Sequence, residues 1–155
     1  MSKKVEILSA HLQNIENYIP SHKSIRTDVS QATVGWQLDH ALKVINGVLI
    51  VLAKTDPKKF KKEFNLRRTL IFTAGIFPRG RAKSPKQVLP PEIIYEEDLR
   101  SQLNEARNNI KLINSLDKNA FFIHHIFGSL NKNQTLRFLD IHTNHHLKIV
   151  NDILK

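Results

Sequence analysis

Apolar residues recur along this chain at helical spacing. Val5, Leu8, Leu12, Ile15 and Ile19 fall on one stripe, and Pro20 closes that segment. The polar stretch from Ser21 to Ser30 reads as a loop. A second helix is predicted from Gln31 to Lys54, with Ser30 as its N-cap. A third opens at Glu96, where Glu96, Glu97 and Asp98 suit the positive end of the helix dipole. Its inward stripe is Leu99, Leu103, Ala106, Ile110, Ile113 and Leu116. The fourth begins within Asn131 to Asn133, runs to the end, and turns Leu139, Ile149, Val150 and Ile153 inward. Alternation with period two is scarce throughout. The expectation is an all-α fold, an antiparallel four-helix bundle in a single domain spanning residues 1–155.

The second and third helices are joined by a long connection, Thr55 to Tyr95. Within it Lys58 to Phe64 is predicted as a short helix after Asp56-Pro57, and Phe77-Pro-Arg-Gly80 and Val88-Leu-Pro-Pro91 read as extended loop with turns. Connections this long inside a compact domain are more often functional than filler. This one also carries the charge. The net charge is +10, and residues 54–86 hold eleven Lys or Arg against only Asp56 and Glu63. The three readings of such a segment are a solvated face, an anion-steering surface beside a site, and a nucleic-acid contact. No zinc-finger, helix-turn-helix or RNA-recognition motif accompanies it, so nucleic acid is the least favoured. Lacking an apolar run long enough to span a bilayer, the chain is not expected in a membrane.

There is no cysteine among the 155 residues. Disulfides, thiolate metal sites and cysteine nucleophiles are therefore excluded, and a cytoplasmic protein is expected. Any metal must be held by nitrogen and oxygen donors, which directs attention to the eight histidines. On the fourth helix, His146 lies about 40° from His142, with Leu139, Ile149 and Ile153 within about 60°. Both histidines thus sit on the apolar stripe, with His145 on its shoulder. Asp140 falls on the opposite face with Arg137, Asn144 and Lys148 and is predicted to meet water. An i, i+4 histidine pair presents two imidazoles at chelating distance, but hydrogen-bonded core histidines would satisfy the same pattern. On the second helix, His40 shares a face with Trp36, Val44, Gly47 and Val51, while Asp39 points away. Three inward histidines tilt the balance toward a divalent metal with positions left open, as in catalytic sites. His11 and His22 read as surface residues. Gly47 is assigned to close helix packing, and Leu38, Leu42, Ile45, Leu49 and Leu52 form a second apolar side that is either centrally buried or a dimer contact.

Di-iron Glu-x-x-His, His-Glu-x-x-His, Gly-x-Ser-x-Gly and glycine-rich phosphate-loop motifs are all missing. The pattern that is present, Trp36-x-x-x-His40 followed by His142-x-x-His145-His146, resembles the DinB-like (YfiT-like) superfamily of metal-dependent hydrolases. It is closest to a branch of unknown function, supported by Arg79-Gly-Arg-Ala-Lys-Ser-Pro85 with Val88-Leu-Pro-Pro91 and by His124-His-Ile-Phe-Gly128. Where that branch has a proline, this chain has His125, and the family's late glutamine is missing near Ile149 and Val150. The resemblance implies an up-down-down-up bundle, a homodimer, and a metal, zinc or nickel, held by His40, His142 and His146. It also implies transferase or hydrolase chemistry, in some relatives with a low-molecular-weight thiol.

On this reading Trp36, His124, His125 and His145 line the pocket or support the ligands, and Arg79, Arg81 and Lys83 steer an anionic small-molecule substrate; simple packing of the aromatic loop is the favoured alternative for His124 and His125, and the core an equal one for Trp36. No residue is assigned a catalytic role beyond the metal ligands. The alternative is a non-catalytic binding module with a structural or vestigial metal site, whose basic segment engages a partner or nucleic acid.

Overall fold

The computed structural model describes residues 2–80 and 83–155. Among the described residues the long elements are five α-helices and one small hairpin: α1 (Lys3–Tyr18), α2 (Val34–Lys54), α3 (Leu66–Ala74), α4 (Glu96–Leu112), β1 (Phe121–His124), β2 (Gly128–Asn131) and α5 (Lys132–Leu154). The fold is mostly helical, but the all-α expectation needs correcting for the hairpin. Period two is invisible there because the strands are only four residues long and nearly every position is partly covered. Phe121 pairs with Asn131 and His124 with Gly128 in an antiparallel register. Three residues close the turn, and Gly128 takes a φ of 71°, the left-handed conformation such loops require.

Helix starts follow their caps. Thr33, not Ser30, caps α2 by accepting the Trp36 N–H at 3.1 Å, so the helix opens at Val34. Ser30 lies upstream, its hydroxyl accepting from Ala32 N–H and from the Gln37 amide. Asn131 and Gln134 form a reciprocal capping box on α5. Pro20 does not stop the first segment outright. A single 3-10 turn, Ile19–Ser21, carries it on, because proline at a first-turn position gives up no needed hydrogen bond. The short helix expected at Lys58 to Phe64 is only a turn at Pro57–Lys59, and the real helix of the connection is α3. Asn65 caps α3, and its apolar residues Leu66 and Leu70 face outward, which hid it from a search for an inward stripe.

The direction of each long helix is legible in its polar contacts. Lys4 reaches the Asn133 carbonyl and His11 reaches Asp140, so α1 and α5 run parallel. Asp39 meets Gln102 and Asn46 meets Asn109, so α2 and α4 are parallel. His40 approaches His142 while Gln37 approaches His146, so α2 and α5 are antiparallel. The apolar residues Leu38, Leu42, Ile45, Leu49 and Leu52 are buried in the centre, which resolves the role of the second apolar side of α2. No described helix is long and apolar enough to cross a membrane.

The connection from α2 to α4 exposes nearly all of its described cations to solvent, as the solvated-face reading expects, but it is anchored at α3. Arg68 of α3 is buried and donates to the Phe127 and Ser129 carbonyls at 3.2 and 3.1 Å. Asn65 donates to the Ile126 carbonyl, and the Glu63 carboxylate accepts the Ser129 N–H at 2.7 Å. These bonds satisfy hairpin backbone groups that β1 and β2 leave open, and they join two walls of the site described next.

Candidate metal centre

Antiparallel packing of α2 on α5 brings one ring nitrogen each from His40, His142 and His146 within 4.8 Å of one another. His40 and His146 are 2% and 8% exposed, and His142 is partly buried. Hydrogen bonds decide which nitrogen two of the rings offer. His40 Nδ1 lies 2.8 Å from the Val88 carbonyl, and His146 Nδ1 lies 2.6 Å from Gln37 Oε1. Both partners only accept, so both Nδ1 atoms carry hydrogen and both neutral rings present a bare Nε2.

His40 Nε2 and His142 Nε2 are 3.3 Å apart. Nitrogen ligands at zinc-like bond lengths in a tetrahedral arrangement are separated by roughly 3.3–3.4 Å. Without a cation, His142 has a single hydrogen to share between two lone pairs, and its own Nδ1 is buried with no partner among the described residues. A divalent cation satisfies all three Nε2 atoms together, which a hydrogen-bonded core cannot do. The donor set therefore fits a metal.

Burial pushes all three imidazoles below the ordinary histidine value, well below it for His142 and His146, whose histidine neighbours add to the effect. Neutral imidazole is the ligating form, so the site is poised to bind rather than to be protonated. Behind His40, Trp36 stacks at a centroid distance of 5.3 Å and 18° between planes. Trp36 is thus a support for the ring and does not face the cavity.

In front of the histidines is a cavity of about 1020 Å³, open to solvent, between α2, α3, the hairpin, α5 and the loop around Val88. His124, His125 and His145 all line it. His124 Nδ1 accepts the N–H groups of Ile126 and Phe127, so this ring shapes the turn, and its pKa is held down to about 4 by burial and then by His125. Burial, followed by the Arg79 charge, also lowers His145. Of the three cations assigned to steering, Lys83 lines the cavity, Arg79 is paired with Asp152 at 2.8 Å, and Arg81 lies outside the described residues. Two cations not singled out from sequence, Lys43 and Arg67, line it as well.

Four positions differ from expectation. Asp140 does not simply meet water: it bonds His11 and Arg137, both at 2.8 Å, because α1 packs across that side of α5. His11 is correspondingly covered, and His22 is partly buried with its Nδ1 on the Ile19 carbonyl. Gly47 packs against no helix and lines the cavity instead. Gln37 and the Val88 carbonyl were missed altogether. Gln37 had a faint signal, a polar residue three places before His40 on the same helix, whereas a backbone carbonyl from a distant loop has none.

Comparisons with protein families, with curated proteins and with solved structures returned no match. The site is thus read from its own geometry.

Proposed function

We propose that this chain is a DinB-like metal protein in which His40, His142 and His146 hold one divalent ion, zinc or nickel, for hydrolase or thiol-dependent transferase chemistry on a small molecule. The observation carrying this reading is the pair of bare Nε2 atoms oriented by Val88 and Gln37, with His142 completing the triangle and a cavity in front. The parallel and antiparallel pairings of the four long helices accord with the up-down-down-up arrangement of that superfamily.

An ion held by His40, His142 and His146 would keep its full positive charge, since all three ligands are neutral, and would supply Lewis acidity to an oxygen or sulfur atom of the substrate. The protein's own residues do the rest. Val88 and Gln37 fix the tautomers of two ligands, and Trp36 holds the His40 ring plane. The apolar cavity walls lower the local dielectric and strengthen interactions with the charge. Because the chain has no cysteine, any thiol in the reaction comes from a co-substrate.

A metal placed at the floor of an open cavity favours this reading over a structural ion, which is usually closed off by a fourth protein ligand. Elemental analysis of the purified protein and of His40→Ala, His142→Ala and His146→Ala tests it. Near-stoichiometric metal in the wild type, lost in each variant, is the expected result. A wild type that is empty and takes up neither zinc nor nickel refutes the proposal.

A further inference from the structure

The wall of the cavity is apolar over most of its extent, and its formal charges are all of one sign. Val44 and Val48 of α2, Leu70 and Ile71 of α3, Phe122 of β1 and Phe138 of α5 face it. Among the described residues that line it there is no aspartate or glutamate, while Lys43, Arg67 and Lys83 are present. Lys43 is already engaged, 2.7 Å from the Asp39 carboxylate and donating to the Leu89 carbonyl. Arg67 and Lys83 are exposed, and neither has a carboxylate within ion-pair distance among the described residues. Since His40 and His146 lie at the buried end, the cavity is polarised along its depth. Neutral histidines lie at the buried end, aliphatic and aromatic side chains make most of the wall, and two uncommitted cations lie at its exposed part.

We infer that the ligand of this cavity is an amphipathic anion, an apolar chain or ring system bearing one acidic group. Its acid is held by Arg67 and Lys83 at the rim, and its opposite end reaches the three histidines. This deepens the proposed function by naming its substrate class, and rests on it only for the claim that the histidine end is where reaction occurs. An organic cation would be repelled at the rim. A neutral polar molecule such as a sugar would lose its hydration to walls that offer few partners. A nucleic-acid strand would find cations only at the entrance and no room for its phosphates below. At about 1020 Å³ the space is at the upper end of small-molecule cavities, so the apolar body can be substantial. Val51 and Leu70, both exposed at the entrance, give that body an apolar path inward.

Gly47 provides a clean test. It sits within α2 on the cavity wall, and a Cβ built there has no atom within 4 Å. A side chain can therefore be started there without a clash at Cβ, Gly47→Phe is expected to fill part of the cavity, and replacing a helix-interior glycine does not weaken the helix. Isothermal titration calorimetry would compare decanoate, decanol and decylammonium on metal-free and zinc-loaded protein, on Gly47→Phe and on the Arg67→Gln/Lys83→Gln double variant. Metal content and thermal midpoint are measured on the same samples. In metal-free wild type, decanoate is expected to bind about tenfold tighter than decanol, in line with one charge-assisted contact, and decylammonium not to bind. Gly47→Phe should abolish binding while retaining metal and fold. The double variant should bring decanoate to the level of decanol. Equal affinity for decanol, binding that survives Gly47→Phe, or no binding by any probe would each overturn the inference. Protein that binds decanoate but takes up no zinc or nickel refutes the metal reading alone, and the converse refutes the ligand class alone.

Discussion

His40 Nε2 lies 3.3 Å from His142 Nε2, on helices that meet 102 residues apart in sequence. Each ring reaches that position through a different constraint. The Val88 carbonyl orients His40 from behind, whereas His142 is carried inward by the apolar stripe of α5 and has no partner for its Nδ1 among the described residues. The ligands are therefore unequal: hydrogen bonds pre-orient His40 and His146, whereas packing alone places His142.

Gln37 should matter almost as much as a ligand. Gln37→Leu leaves the His146 Nδ1–H buried without an acceptor and frees the ring to rotate. Metal affinity is expected to fall about tenfold to a hundredfold, measured by competition with a chromogenic chelator. Gln37→Glu keeps an acceptor at the same place and should hold the metal. If Gln37→Leu binds as tightly as wild type, the tautomer of His146 is not set by this contact.

The metal-free protein should lose stability in acid. His124 titrates at about 4 in the fold against an ordinary value of 6.5, and burial pushes His40, His142 and His146 down as well. Below pH 6.5 the unfolded chain therefore binds more protons than the folded one, so stability falls as pH drops from there through about 4. The share from His124 is on the order of 2 kcal/mol. Urea titrations across that range check it. His124→Asn, whose side chain can still accept the Ile126 and Phe127 N–H groups in an Asx turn, should flatten the slope.

Gly128→Ala should be destabilising by about 1–2 kcal/mol from its left-handed conformation alone. The added methyl would also collide with the Glu63 carboxylate, which accepts from Ser129. Because that contact ties the hairpin to the start of α3, the variant should bind decanoate less well as well as melt earlier. An unchanged thermal midpoint would show that the turn relaxes freely.

Arg68→Met removes the donor serving the Phe127 and Ser129 carbonyls, a buried side chain of comparable length remaining. Leaving such groups unsatisfied costs about 1–3 kcal/mol. Hydrogen exchange should quicken in Gly128 to Leu130 and in α3, while amides of α1 and α4 stay protected. Uniform acceleration across the chain would instead make Arg68 part of the global core.

The four long helices and the inward direction of three histidines were legible in the sequence, because helical periodicity is a local property and burial follows it. Leu139, Ile149 and Ile153 flank His142 and His146 on one stripe, and that stripe alone points both rings at the core. What required the tertiary structure was everything set by contacts between distant segments. Asp140 faces away from the apolar stripe, yet α1 covers it. Helix α3 turns its leucines outward and is fixed by a buried arginine, so no inward stripe marked it. The hairpin is too short for alternation to register, and it stands because Arg68, Asn65 and Glu63 satisfy its backbone. The nitrogen that His40 and His146 offer depends on a loop carbonyl from Val88 and an amide from Gln37, and hydrogen bonds of that kind leave no period in the chain.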